Sequence, residues 1–451
     1  MKRMKGGTSK TMKKNRLSPL FVIVLSFLAL ISVGAILLKL PISAQEGKTL
    51  SWIDSWFLSF SGVCVTGLSP IADLSATLSI FGKVVLMALM QIGGLGIVTI
   101  AVYVLVLLGV KIGITERYVV REALNQSGLG GIIRLVRSII FTSLIIEGFG
   151  FLINLIVFLP VRPFWEGVGI SLFHAISAFN NAGFDLFGAS SMISQADNLL
   201  LNLNTMLLIF LGGIGFVVIH DVLHKKKWKD LTLYSKIVLK TTGILIVVGT
   251  LLIKLLEWDQ VTWLQAIFQS VTSRTAGFST TDIGLLSDTT AIVIMLLMFI
   301  GASPNSTGGG VKTTTAYTIY KTVTSFLLGK PTVIRNRKID DETKFKAFSL
   351  VTLSAFCLFV AFLGLSAIEA KNMASDSSFL NMFFEAVSAF GTVGLSRGIT
   401  PYLMGGSKVI IMCLMFLGRL GPITIFGLLN KNWGHPNVSS VDYASEKILV
   451  G

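Results

Sequence analysis

From Leu20 to Leu38 the chain runs for 19 residues without a charge. About 20 apolar helical residues cross a bilayer core. Comparable runs recur from Ser138 to Leu159, Ile237 to Leu256 and Ala347 to Ile368, and again from Val84 to Val110, Leu199 to Ile219, Thr289 to Gly329 and Val409 to Asn430. Lipid offers no partner to a backbone N–H or C=O, so a chain built from such runs is confined to helices that satisfy their own backbone. The composition agrees, with 53% hydrophobic and 14% charged residues, against roughly 45–50% and about 25% in a soluble domain.

The net charge of +15 would suit nucleic acid if it were spread over one surface. Instead the basic residues form blocks between the apolar runs, at Lys2 to Arg16, Lys111 to Arg137, Lys225 to Lys240 and Lys330 to Lys346. Such blocks mark cytoplasmic loops, so the charge reports topology and no nucleic acid is expected. The run Leu20 to Leu38 exceeds the ~7–15 residues of a signal core and reads as a retained helix. Cys64, Cys357 and Cys413 lie singly in apolar stretches and read as small buried hydrophobes, with neither a disulfide framework nor a metal cage expected.

With every basic block on one side, each intervening stretch crosses the membrane an even number of times. Each stretch also holds a segment of about a dozen residues rich in aromatic, Ser and Gly residues, too short to span and therefore re-entrant from the outside. The expected fold is an all-α polytopic membrane protein with eight spanning helices, four re-entrant loops and both termini cytoplasmic. Its expected units are a basic terminus at 1–16, repeats at 17–110, 132–224, 231–329 and 344–430, and a tail at 431–451.

The four re-entrant segments align on a glycine: SGVCVTGLSP from Ser61, SAFNNAGFDLF from Ser177, SVTSRTAGFST from Ser270 and SAFGTVGLSRG from Ser388. One glycine turn closing a helical hairpin would be unremarkable. Four Gly-Leu/Phe-Ser/Asp triplets in register indicate one pseudo-fourfold pore, in which backbone carbonyls replace a cation's hydration shell. Glycine suits the turn because it takes positive φ without strain and leaves the axis clear. A short helix ahead of each turn, such as Ile53 to Phe60, would direct its negative C-terminal end at the ion.

These residues resemble the Trk/Ktr/HKT superfamily of cation transporters, and within it the Ktr potassium-uptake membrane subunits, over nearly the whole chain. The resemblance implies a selectivity filter at Val65-Thr66-Gly67, Asn181-Ala182-Gly183, Thr275-Ala276-Gly277 and Thr392-Val393-Gly394. It implies K+ as the transported ion, because some relatives that carry serine at the first glycine position prefer sodium. It further implies a homodimer in a bacterial plasma membrane, regulated by a cytosolic ring of nucleotide-binding subunits, with no organic cofactor in this chain.

Two features stand apart from the fourfold motif. The run Thr289 to Gly329 is 41 residues long and is interrupted by GASPNSTGGG. Pro304 and the glycines cannot continue a helix, so polar backbone is expected in mid-membrane, facing protein or water. By resemblance the segment Gly301, Ala302, Ser303, Pro304, Asn305, Ser306, Thr307, Gly308, Gly309 and Gly310 is a gating loop under the filter. Arg419 sits at the centre of its apolar run. A charge there costs at least ~2.5–3.5 kcal/mol, so it should face the interior, and by resemblance it lies beside the gating loop.

Among the remaining polar residues, Arg274 is expected to brace its loop from behind. Asp185 fits either an outer mouth that gathers cations or a solvated cap, and Glu147 should pair with a neighbouring helix. His220 and His224 have metal-ligand spacing but sit at a basic helix end, where an interface role is expected. The GGLG and GGIG runs at Gly93 and Gly212 should serve close helix packing rather than nucleotide binding. No nucleophile–base pair suggests an enzyme. A sodium-selective or unselective pathway of the same fold stays open, as does a secondary transporter, although four copies in one orientation argue against inverted halves.

Overall fold

The computed structural model describes residues 18–110, 112–124, 128, 130–335, 337–370 and 378–428. The block Lys2 to Arg16 and the tail 431–451 lie outside them. Repeat 1 comprises α1 (Pro19–Lys39), α2 (Trp52–Cys64), α3 (Ile80–Leu95) and α4 (Ile97–Leu107), and α5 (Ile114–Ala123) leads towards repeat 2. Repeat 2 comprises α6 (Ile132–Phe158), α7 (Phe164–Phe179), α8 (Leu199–Ile214) and α9 (Phe216–Lys225). Repeat 3 is α10 (Leu233–Leu256), α11 (Trp263–Thr272), α12 (Asp288–Phe299) and α13 (Thr313–Leu327). After a two-stranded hairpin of Val333–Ile334 with Arg337–Lys338, repeat 4 is α14 (Asp341–Glu369), α15 (Phe379–Gly391), α16 (Gly405–Leu420) and α17 (Pro422–Gly427).

Local sequence sets the helix starts. Ser51, Thr262 and Ser378 cap the short helices α2, α11 and α15, and Ser79, Asn198 and Ser287 cap α3, α8 and α12, each side chain accepting from a backbone N–H in the first turn. The long helices α1, α6, α10 and α14 are apolar all round yet only about a third buried or less. Phe141 and Ile156, each 66% exposed, lie on that outer surface, which fits lipid rather than water.

The second helices depart from the expected continuous runs. The chain turns through 95° between α3 and α4 at Gly96, and through 99° between α8 and α9 at Gly215. A third break, at Gly421, separates α16 from α17. These glycines have φ of 86°, 90° and 84°, a region closed to a residue that continues a helix. Among the described residues, four helices can cross a membrane by length and composition, or six if each bent pair counts as one span. The other two second helices, α12 and α16, have 12 and 16 residues.

The repeats close into a ring. The second helix of each packs on the short helix of the next, α3 on α7, α8 on α11, α12 on α15, and α16 back on α2. Gly93, Gly212 and Gly418 permit close approach within repeats 1, 2 and 4, since a Cβ would strike the backbone carbonyls of Val63, Phe179 and Phe390.

Candidate functional site: a ring of four turns and the loop packed against it

Each short helix ends just before its glycine triplet, so four helix C-termini converge on one place and present their partial negative charge to it. In every turn the first residue of the triplet and the glycine both take left-handed φ. The pairs are Val65 (57°) with Gly67 (91°), Asn181 (57°) with Gly183 (71°), Thr275 (84°) with Gly277 (83°), and Thr392 (49°) with Gly394 (96°). A left-handed non-glycine residue costs roughly 1–2 kcal/mol, and four in register persist only where the surroundings enforce them.

The turns meet one another in cyclic order. A Cβ built on Gly67 would overlap the carbonyl oxygen of Ala182, one on Gly183 that of Ala276, one on Gly277 that of Val393, and one on Gly394 that of Thr66. Each would also come within 3.0–3.1 Å of the next glycine's Cα. The glycine and the residue before it in each of the four triplets are thus brought together, and any side chain at a glycine would collide with the neighbouring repeat. Hydrogen bonds hold the turns: Gly67 N donates to Ser61 Oγ and Gly394 N to Ser388 Oγ, both at 3.1 Å, and the side-chain amide of Asn181 lies 3.0 Å from Thr275 Oγ1.

The segment 301–310 packs against this ring. Gly309 N donates to Thr392 Oγ1 at 2.9 Å, and a Cβ on Gly308 would strike Thr275 Oγ1. The helix breaks explain how the loop is satisfied, because ending a helix early frees its last carbonyls and first N–H groups. Ser303 N donates to Gly213 O (3.1 Å), Thr307 N to Gly212 O (3.2 Å), Gly310 N to Gly418 O (3.2 Å), and Phe216 N returns a bond to Asn305 O (3.0 Å). At the turn, Asn305 takes φ 58°, a conformation asparagine tolerates well.

Three cations attach to the same loop. Arg419 donates to Thr307 O, and also to Gly93 O at 2.5 Å and Gly94 O at 3.1 Å on the freed end of α3. Lys312 donates to Gly308 O at 2.8 Å, and Arg274 to Gly301 O at 3.3 Å. Arg274 therefore braces the 301–310 loop rather than its own turn. Lys312 was not singled out from the sequence. A signal for the breaks is present there: GGLG from Gly93, GGIG from Gly212 and GRLG from Gly418 occupy equivalent places, and Arg419 stands where the others have Gly94 and Gly213.

Glu147 accepts from Gln91 Nε2 at 3.0 Å and from Asn180 Nδ2 at 3.1 Å, tying α6 to α3 and to the end of α7. Asp185 accepts from Phe187 N (3.1 Å) and Ser191 Oγ (2.6 Å). Burial, with help from the Asp73 charge, pushes its carboxyl up to about 6 despite those bonds. The His220 and His224 rings stack 4.0 Å apart, and no group of three metal-ligating side chains occurs among the described residues.

An all-α membrane protein with four repeats around a ring of glycine turns belongs to the class of polytopic transporters rather than enzymes. The TrkH family of cation transport proteins matches residues 6–436, and the chain belongs to it. The Ktr system potassium uptake protein B of Bacillus subtilis is 41% identical across 98% of this chain and 99% of its own length. The potassium/sodium uptake protein NtpJ of Enterococcus hirae is 34% identical across 97% and 98%. The crystal structure of the potassium transporter TrkH from Vibrio parahaemolyticus superposes with a TM-score of 0.72 at 20% identity, covering 94% of this chain and 87% of that one, and so shares the fold.

Proposed function

We propose that this chain is the pore-forming subunit of a potassium uptake system. K+ sheds water at the ring and is held by backbone carbonyls of the triplets at 65–67, 181–183, 275–277 and 392–394. The loop 301–310 obstructs the path below them and is held in place by Arg419. Eight crossings with both termini cytoplasmic, a homodimer in a bacterial plasma membrane and a cytosolic nucleotide-binding ring subunit complete the proposal. The names of two close relatives, potassium uptake protein B and potassium/sodium uptake protein NtpJ, support K+ as the cargo.

The observation that carries this reading is the cyclic contact of the four glycines, each against the carbonyl of the next turn. A secondary transporter with one site between two halves would not need it. Growth of a potassium-transport-deficient bacterium at limiting potassium, with and without the cytosolic subunit, tests the proposal. Rescue that strengthens with the partner is expected, together with rubidium uptake exceeding sodium uptake. Sodium uptake equal to rubidium uptake would instead favour an unselective pathway, and no rescue under either condition would contradict it.

A further inference from the structure

The apex of the 301–310 loop is gripped by groups from two helices, α9 and α10. Phe216 N, the first N–H of α9, donates to Asn305 O at 3.0 Å, and the Tyr234 hydroxyl, in the first turn of α10, donates to Pro304 O at 2.9 Å. A Cβ on Gly215 would come 2.7 Å from the same Pro304 oxygen, so the apex is seated against the break in the second helix of repeat 2.

The two gripping helices are locked to each other. Asp221 of α9 accepts from Thr232 N (2.9 Å), Thr232 Oγ1 (2.8 Å) and Ser235 Oγ (2.7 Å) at the start of α10, and pairs with Lys225 at 2.8 Å. Tyr234 stands between Thr232 and Ser235, so the junction of α9 and α10 and the loop apex move as one unit while its hydroxyl bond holds. Arg419, Lys312 and Thr392 hold the second half of the loop, 307–310, while Arg274 on Gly301 O and Ser303 on Gly213 O hold its first residues, so Tyr234 is the side chain from α10 that reaches the apex itself.

We propose that Tyr234 is a positioning residue of the gate: its hydroxyl latches Pro304 and keeps the loop seated, and motion of the α9–α10 junction releases it. The phenolic O–H is well suited to this, because one donor on a rigid ring either reaches the carbonyl or does not. The proposal rests on the loop being the obstruction in the pore, and its test separates the two.

Ser306, next to the apex, is replaced by Cys in a Cys357→Ala, Cys413→Ala background, and its reaction with a water-soluble thiol reagent is timed in the full-length protein in liposomes. Tyr234→Phe, which keeps the ring and removes the hydroxyl, should speed labelling about two- to tenfold, the population change expected on losing one hydrogen bond. Rubidium uptake should rise in parallel with the rubidium-to-sodium ratio unchanged, whereas general loosening of the fold would lower that ratio. Unchanged labelling overturns the latch. Faster labelling, with no rubidium uptake by either protein, keeps the latch and removes the pore reading instead.

Discussion

Lys408, near the start of α16, lies 2.8 Å from the Asp54 carboxylate in the first turn of α2, joining the fourth repeat to the first. Both side chains are largely shielded, at 10% and 23% exposure. Arg397 makes the corresponding link from repeat 4 to Asp288 of repeat 3 at 3.2 Å. Ion pairs between repeats thus accompany the helix contacts that close the ring.

Breaking one such pair while leaving its partner shielded should be costly. Lys408→Met is expected to destabilise the purified protein by about 1–3 kcal/mol, below the 3–5 kcal/mol of a fully buried pair because solvent still reaches Asp54. Thermal unfolding in detergent measures this. The double variant Lys408→Met, Asp54→Leu should recover part of the loss; a double variant weaker than both singles would show that the pair is not what closes the ring.

The ring glycines tolerate no Cβ. Gly394→Ala would combine φ of 96° with a clash against Thr66 O. The expected result is a roughly tenfold or greater loss of rubidium uptake, since the carbonyls must stand at coordinating distance. Uptake assays on protein that elutes as the parent does would check it.

The break glycines should separate by what lies near them. Gly215→Ala meets Pro304 O and Ser303 Oγ, whereas a Cβ on Gly421 has nothing within 4 Å. Both pay about 1–3 kcal/mol for a positive-φ, extended-ψ backbone that favours glycine, but only Gly215→Ala should also shift uptake by displacing the loop. Equal uptake by the two variants would contradict the coupling of this break to the loop.

Asp185 supplies a pH dependence. Its carboxyl, raised to about 6, is protonated below that pH and charged above it. Were it to gather cations at an outer mouth, rubidium uptake at low rubidium should rise as external pH increases through about 6, and Asp185→Asn should flatten the profile. The stability term has the opposite sign: a raised carboxyl favours folding at low pH, an advantage lost as pH climbs from the model-peptide value of about 3.9 through 6.

The ring of four glycine turns was legible because backbone geometry forced the residue type: Gly67, Gly183, Gly277 and Gly394 cannot be replaced without a collision, so the pattern survives in the letters. The three helix breaks were not. A lone glycine in an apolar run serves equally for close packing, which Gly93 and Gly212 do perform, and only setting GGLG, GGIG and GRLG side by side across repeats marks Gly96, Gly215 and Gly421 as breaks. The sites on the loop for Lys312 and Tyr234 were hidden for another reason. Each binds a carbonyl that becomes free only after helices have ended, and that follows from tertiary arrangement rather than spacing.

The central claim is that four main-chain turns form one cation site. Anomalous scattering from crystals of the protein grown in rubidium tests it most directly. The account predicts a peak on the axis enclosed by Gly67, Gly183, Gly277 and Gly394, lost when sodium alone is present. Rubidium bound only elsewhere, with the ring empty, would contradict it.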